Sequence, residues 1–295
     1  MKWCILLLLL STAIFAADTE EFWKNKQEYM SSRTIATAGA QTASTLKNDG
    51  AYLNPAASYS VKGRFIMGLD GFYVSDGVPN QFMFSIVDSK TTKRTSGLSG
   101  GSFLKFYNYT EEEDSYSSFS TGISYAMPLF KGAILGVGGK YLKFKKNDTN
   151  YINTVTFDVG LIYMFSPYIS LSVVGYNLTA IDKLEAPLAV TSAIRVTDNE
   201  MFSLEFDLTS DFSAPDFYEK NETALYKYSF GGEIKLGNDL TILAGYQIDS
   251  IIDENYFGLG VEYFIPKTRV ELGFSYMQST TSDYQVFSFA LKMYL

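Results

Sequence analysis

From Phe287 to Leu295 every second residue is apolar: Phe287, Phe289, Leu291, Met293 and Leu295. Ser288, Ala290, Lys292 and Tyr294 stand between them. A period of two marks a strand whose two faces meet different surroundings. Here the alternation runs to the final residue. An open edge in lipid would leave backbone N–H and C=O groups without partners, so a last strand of this kind is expected to pair with the first and close a barrel.

The same period recurs upstream. Phe202, Leu204, Phe206 and Leu208 alternate with Ser203, Glu205, Asp207 and Thr209. Tyr226, Tyr228 and Phe230 alternate with Lys227, Ser229 and Gly231, and Val270, Leu272, Phe274 and Tyr276 with Glu271, Gly273 and Ser275. A soluble sandwich would alternate too, so segment length and turn spacing decide. Fourteen candidate strands cover 63–74, 81–88, 98–109, 116–127, 131–145, 151–164, 168–177, 186–196, 200–211, 223–236, 240–249, 254–264, 268–278 and 283–294. Most reach the ~9–11 residues that cross a bilayer at a tilt, against ~5–6 in ordinary soluble strands. The even number puts both termini on the periplasmic side.

From the fourth strand on, every second connection is a tight turn: Pro128 to Phe130, Phe165 to Pro167, Thr197 to Asn199, Gly237 to Asp239 and Ile265 to Lys267. The connections between them include longer, polar ones: Thr110 to Ser115, Leu178 to Glu185 and Phe212 to Glu222. Short periplasmic turns and longer outer loops are the habit of outer-membrane barrels. Ser89 to Gly97 departs from it, being long and basic on the periplasmic side. The sequence predicts an all-β, closed antiparallel transmembrane barrel in the cell outer membrane. Its surroundings would be outer-membrane lipids, and the barrel-assembly machinery its partner during insertion.

The first residues read as a secretory signal peptide over 1–16. Lys2 gives the positive start, Ile5 to Leu10 the apolar run, and Ala16 and Ala17 a cleavage point. Cys4 precedes the apolar run, where a lipidated cysteine would follow it, and it is the single cysteine of the chain. A chain processed at Ala16 has no thiol for a disulfide or a thiolate zinc site. No histidine occurs anywhere. That rules out Ser-His and Cys-His nucleophile pairs and removes the commonest metal ligand. No carboxylate pair stands out either, so the chain is read as a non-enzyme with no catalytic residues, metal site or cofactor. A net charge of -8 opposes binding to nucleic acid.

The stretch from 17 to 62 does not alternate. Residues Thr19 to Met30 have a weak helical character, with Thr19 as cap. Ser31 to Lys62 is rich in small residues: Ala38-Gly39-Ala40 with Ala43, then Asp49-Gly50-Ala51, then Asn54-Pro55-Ala56-Ala57. Small residues permit close backbone packing, and Asn54-Pro55 is a turn signal. These three motifs, from Ala38 to Ala56, resemble the FadL-like long-chain fatty acid transporter family. Ala57 stands where that family often has glycine. The resemblance implies that 17–62 is a hatch plugging a barrel formed by 63–295, with Asn54, Pro55 and Ala56 as hatch residues.

The resemblance further implies passive uptake of a hydrophobic small molecule, such as a lipid or long-chain fatty acid, with lateral release through the wall. A second reading is an accessory barrel for protein secretion or surface assembly, like the PorV-like members of the same barrel class. A general porin is disfavoured, because the probable inward positions include many Ser, Gly and Thr with scattered charge, and because of the hatch-like segment. Two charged clusters remain. Glu111-Glu112-Glu113-Asp114 reads as a solvated loop more readily than as a cation site. Lys143, Lys145 and Lys146 lie where a strand meets the outer surface. They either touch anionic headgroups or simply mark the membrane boundary, the more ordinary reading.

Overall fold

A computed structural model describes residues 31–44, 47–61, 63–74, 81–89, 97–111, 114–147, 149–179, 187–198, 201–214 and 222–295. The expected signal peptide and the helical reading of 19–30 lie outside these residues, as do 90–96 of the basic connection and most of the Phe212 to Glu222 loop.

Among the described residues three short helices come first: α1 (Ser32–Ala36) and two 3-10 turns, η1 (Asn48–Ala51) and η2 (Pro55–Ser60). Fourteen strands follow: β1 (Phe65–Val74), β2 (Gln81–Asp88), β3 (Ser99–Glu111), β4 (Asp114–Phe130), β5 (Ala133–Lys146), β6 (Thr149–Met164), β7 (Ile169–Tyr176), β8 (Ala189–Thr197), β9 (Phe202–Asp211), β10 (Leu225–Leu236), β11 (Leu240–Asp249), β12 (Glu254–Ile265), β13 (Val270–Ser279) and β14 (Gln285–Tyr294). Each pairs with its sequence neighbours, and β14 returns to β1 to close the barrel. The closing register runs antiparallel from Ile66 opposite Tyr294 to Val74 opposite Val286. The terminal residue takes part, since the Leu295 N–H donates to the Phe65 carbonyl at 2.9 Å.

Alternation sorts the side chains as the sequence predicts. On β14, Phe287, Phe289 and Met293 are exposed on the outside while Ser288, Ala290 and Lys292 are buried within. Leu204, Ile123, Phe274 and Leu259 are among the many large apolar side chains exposed on the outer surface. Water could not wet such a surface cheaply, whereas acyl chains match it. Phe130, Phe165 and Tyr168 gather at the short-turn end, the periplasmic rim. There the Tyr163 and Phe165 rings meet edge to face at 4.5 Å. Aromatic rings at a rim suit the boundary between headgroup and hydrocarbon.

Two expected connections are shorter than the sequence suggests. The turn placed at Pro128 to Phe130 is strand: β4 continues through Pro128 with a register shift there and turns at Lys131 and Gly132. A bulge accommodates proline's missing N–H. Gly132, at φ 87°, supplies the left-handed residue that the tight turn requires. The loop expected over Thr110 to Ser115 is also mostly ladder, with Thr110 opposite Ser115 and Glu111 opposite Asp114. The barrel wall is thinnest between β6 and β7, whose pairing extends only from Val159–Gly175 to Met164–Ser170. Above it, the Leu178 N–H and the Thr179 hydroxyl donate to the Phe157 and Val155 carbonyls.

Leu259 lies midway along β12 and faces outward. Leu259→Arg is expected to destabilise the folded barrel by ~2–4 kcal/mol, the cost of a cation at the bilayer midplane. Urea unfolding in lipid vesicles, followed by circular dichroism, measures it.

Candidate functional site

A fourteen-strand barrel is too wide for its own side chains to fill. The segment from 31 to 61 occupies the space instead, and nearly all of its residues are buried. It crosses the lumen from wall to wall. α1 packs on β11–β14, η1 on β1–β3, and η2 on β4–β6. The stretch between α1 and η1 reaches β9: the Gln41 and Thr42 N–H groups donate to the Asp207 carboxylate at 3.2 and 2.9 Å, and those of Ala43 and Ser44 to Glu205 at 2.5 and 3.1 Å. Short helices leave N–H groups without internal partners, and the wall carboxylates supply the acceptors.

The wall admits this segment because it is glycine where the segment comes nearest. A Cβ at Gly260 would lie 2.5 Å from the Ala36 methyl, and one at Gly231 would lie 2.9 Å from both Thr37 and Ala40. At Gly258 it would collide with the Ile35 carbonyl, and at Gly136 with the backbone of Pro55 and Ala56. Small residues on one side and absent side chains on the other bring two backbones into contact.

Asn54, Pro55 and Ala56 lie together in this contact. The Asn54 carboxamide oxygen accepts from the Ala56 N–H at 3.0 Å and caps η2, while Pro55 occupies the first helical position. The Asn54 amide donates across the segment to the Thr42 carbonyl at 2.8 Å, tying its two halves together. The trio rests against Gly136, Gly138 and Gly160 of β5 and β6.

Towards the periplasmic end the segment is held by charge, a feature the sequence reading did not assign to particular residues. Arg33 contacts Glu233 and bonds to Glu262 at 2.5 Å. Lys47 bridges Glu262 and Glu271 at 2.6 and 2.7 Å. Lys292 lies 3.3 Å from Glu262 and 4.0 Å from Asp49 of η1. Arg195 approaches Glu233 at 3.5 Å. Four cations thus face the four carboxylates Asp49, Glu233, Glu262 and Glu271. Burial alone would lower the Arg33 pKa, but Glu262, Asp49 and Glu271 more than offset it and hold the guanidinium above its ordinary value. The inward parity of Glu233, Glu262, Glu271 and Lys292 was a readable signal. Their meeting with Arg33 and Lys47 was not, because more than 200 residues separate Arg33 from Glu262.

The two ends of the lumen differ. At the extracellular end Phe72, Met83, Tyr107, Phe144, Ile152 and Met277 are buried in one apolar cluster that includes Ile35 and Tyr52 of the segment. At the periplasmic end a cavity of about 890 Å³ is lined by Arg33, Lys47, Arg64, Lys235, Glu262 and Glu271, among others. The apolar cluster continues along the segment to Val61 and on to Ile66 and Val87, and the cavity opens beside it at the charged end. Among the described residues no group of His, Cys, Asp or Glu is arranged to hold a metal ion.

No family model and no curated protein matches this sequence. Solved structures do match its fold. One is described as the CymD monoaromatic hydrocarbon channel, with TM-score 0.68 at 12% identity over 89% of this chain and 96% of that one. Another is the toluene transporter TbuX of Ralstonia pickettii, with TM-score 0.66 at 12% identity over 90% and 98%. A third is a Pseudomonas aeruginosa FadL homologue, with TM-score 0.65 at 9% identity over 90% and 98%. The likeness expected from the motifs between Ala38 and Ala56 therefore extends to the fold of nearly the whole chain, a closed barrel whose apolar outer band suits a membrane.

Removing Arg33 would leave Glu233 and Glu262 buried with fewer counter-charges. Arg33→Met is expected to weaken the seating of the segment by ~3–5 kcal/mol, seen as faster tryptic cleavage after Lys47 in an otherwise folded barrel. Gly258→Val is expected to push α1 off the wall, so that planar-bilayer recordings change from a closed channel to frequent openings.

Proposed function

We propose that this protein is an outer-membrane channel for passive uptake of hydrophobic molecules, with residues 31–61 as its gate. The observation that carries the reading is the seal itself. A packed segment fills the lumen, and an apolar cluster runs from it to the extracellular end. An open lumen of this width would leak polar solutes. A seal reached through an apolar approach favours solutes that partition out of water before the gate must move.

The names of the matched structures support the same class of cargo, since CymD is described as a monoaromatic hydrocarbon channel and TbuX as a toluene transporter. Long-chain fatty acids fit the same apolar approach and remain the first cargo to try. Asn54, Pro55 and Ala56 act in this reading as the hinge-side anchor of the gate rather than as ligand contacts, because they touch wall glycines and the segment's own backbone. The thin seam between β6 and β7 is the proposed place of lateral release, since fewer backbone bonds must part there.

The test locks the gate. Ser32 of α1 and Ser275 of β13 meet with hydroxyl oxygens 2.7 Å apart. A Ser32→Cys, Ser275→Cys pair in a Cys4→Ser background places two thiols within bonding reach. Uptake of radiolabelled oleate and toluene by cells is then measured, with a small sugar as control. Loss of hydrophobic uptake on oxidation, reversed by dithiothreitol, is the expected result. Equal uptake by oxidised, reduced and protein-free cells would sink the reading.

A further inference from the structure

We infer that the outer rim of β3, β4 and β5 carries a binding site for an anionic, phosphate-bearing membrane lipid. On β5 the even-numbered residues point into the lumen: Gly136, Gly138, Lys140 and Phe144 are buried there. Lys143 and Lys145 therefore point outward, towards the membrane. They stand opposite Phe119 and Ser117 of β4, and opposite Asn153 and Asn150 of β6. Both are half-buried, and neither has a carboxylate partner among the described residues. Lys140, on the opposite face of the same strand, is paired with Asp158 at 2.9 Å. Among the described side chains, β5 thus pairs its inward Lys140 and leaves the outward Lys143 and Lys145 without a carboxylate.

A concavity of about 430 Å³ lies beneath them on the outer surface, lined by Phe106, Ser117, Ser118, Phe119, Tyr141, Lys143 and Lys145. Its floor is aromatic. The Phe119 and Tyr141 rings are 6.3 Å apart, and Phe106 stacks on Phe82 at 5.7 Å. The Tyr141 hydroxyl donates to Asn153 at 2.8 Å, which fixes the ring at this level. Below it along β5 the outward positions Val137 and Leu135 are apolar, so the aromatic tier marks the upper limit of the hydrocarbon. The lysines begin one position above that limit, at the depth of a lipid phosphate.

Two ammonium groups two residues apart on one strand face are ~7 Å apart along the chain. That spacing lets both approach one phosphate group. The aromatic floor beneath would take the first carbons of the acyl chains. A free phosphate would use only the upper half of such a site, which is why the lipid is the occupant assigned. The protein's charge of -8 gives no general attraction for anions, so binding must come from this local pair.

The experiment uses purified full-length protein in a neutral detergent and phosphatidylglycerol with a fluorescent acyl tail, read by anisotropy. Wild type is expected to bind it at least tenfold more tightly than the matching phosphatidylcholine, and more weakly as salt rises. K143Q/K145Q is expected to lose roughly tenfold or more, while K143R/K145R keeps binding. Heat-dependent gel mobility shows whether each variant is a folded barrel, and the K145Q single variant replaces the double one if that fails. Glycerol phosphate should not displace the lipid at equal concentration. Equal binding of the two lipids by wild type, undiminished binding by the folded glutamine variant, or displacement by glycerol phosphate would each overturn the inference.

Discussion

Backbone hydrogen bonding in a medium without water governs this structure. A strand in hydrocarbon has no solvent to satisfy an unpaired N–H or C=O, so the sheet must return to its own beginning. The pairing of β14 with β1 meets that demand up to the last residue, where Leu295 bonds to Phe65. Closure then fixes which residues face lipid, because a slip of one would send Lys292 outward and Phe289 inward. The outer band, the aromatic rims and the charged interior all follow from that single register.

Closure at fourteen strands creates a second demand. The ring encloses more space than its side chains fill, and the chain's small-residue segment fills the remainder. Its seating combines two kinds of contact. Around η2 and α1 it is steric, with backbone laid on glycine. Around Arg33 and Lys47 it is ionic, with each cation shared between carboxylates of different strands. Buried ion pairs add little net stability against apolar packing but penalise displacement strongly, because a moved partner leaves a bare charge behind. The seated position is therefore well defined by sterics and by charge together.

Much of this was legible in the chain. Strand existence, number and facing could be read because lipid imposes a period of two over unusually long runs, as at 202–209 and 270–276. Boundaries were less legible where local chemistry and the ladder disagree. Pro128 looks like a turn residue, yet a bulge lets β4 pass through it. The polar run at Thr110 to Ser115 looks like a loop, yet cross-strand pairing extends through most of it. The small-residue motifs pointed to the segment from Ala38 to Ala56 but not to its counterparts, since Gly136 or Gly258 in a strand is indistinguishable from any other inward small residue until the partner is in place. The ionic cluster was hidden for the same reason. Its members are distant in sequence and converge only when the barrel closes.

The glycine-lined contact also bears on how the molecule can be made. A segment wedged between opposite walls, with backbone against backbone, leaves little clearance for threading into a finished ring. It must be enclosed as the ring forms, and its place before β1 in the chain has it available from the start. Lys292 of β14 stands beside Glu262 of β12 and reaches Asp49 of the segment, so the strand that closes on β1 carries a charge that the interior segment meets. Assembly of the wall and arrival of its contents are therefore linked, and the same strand that closes the ring also touches what fills it.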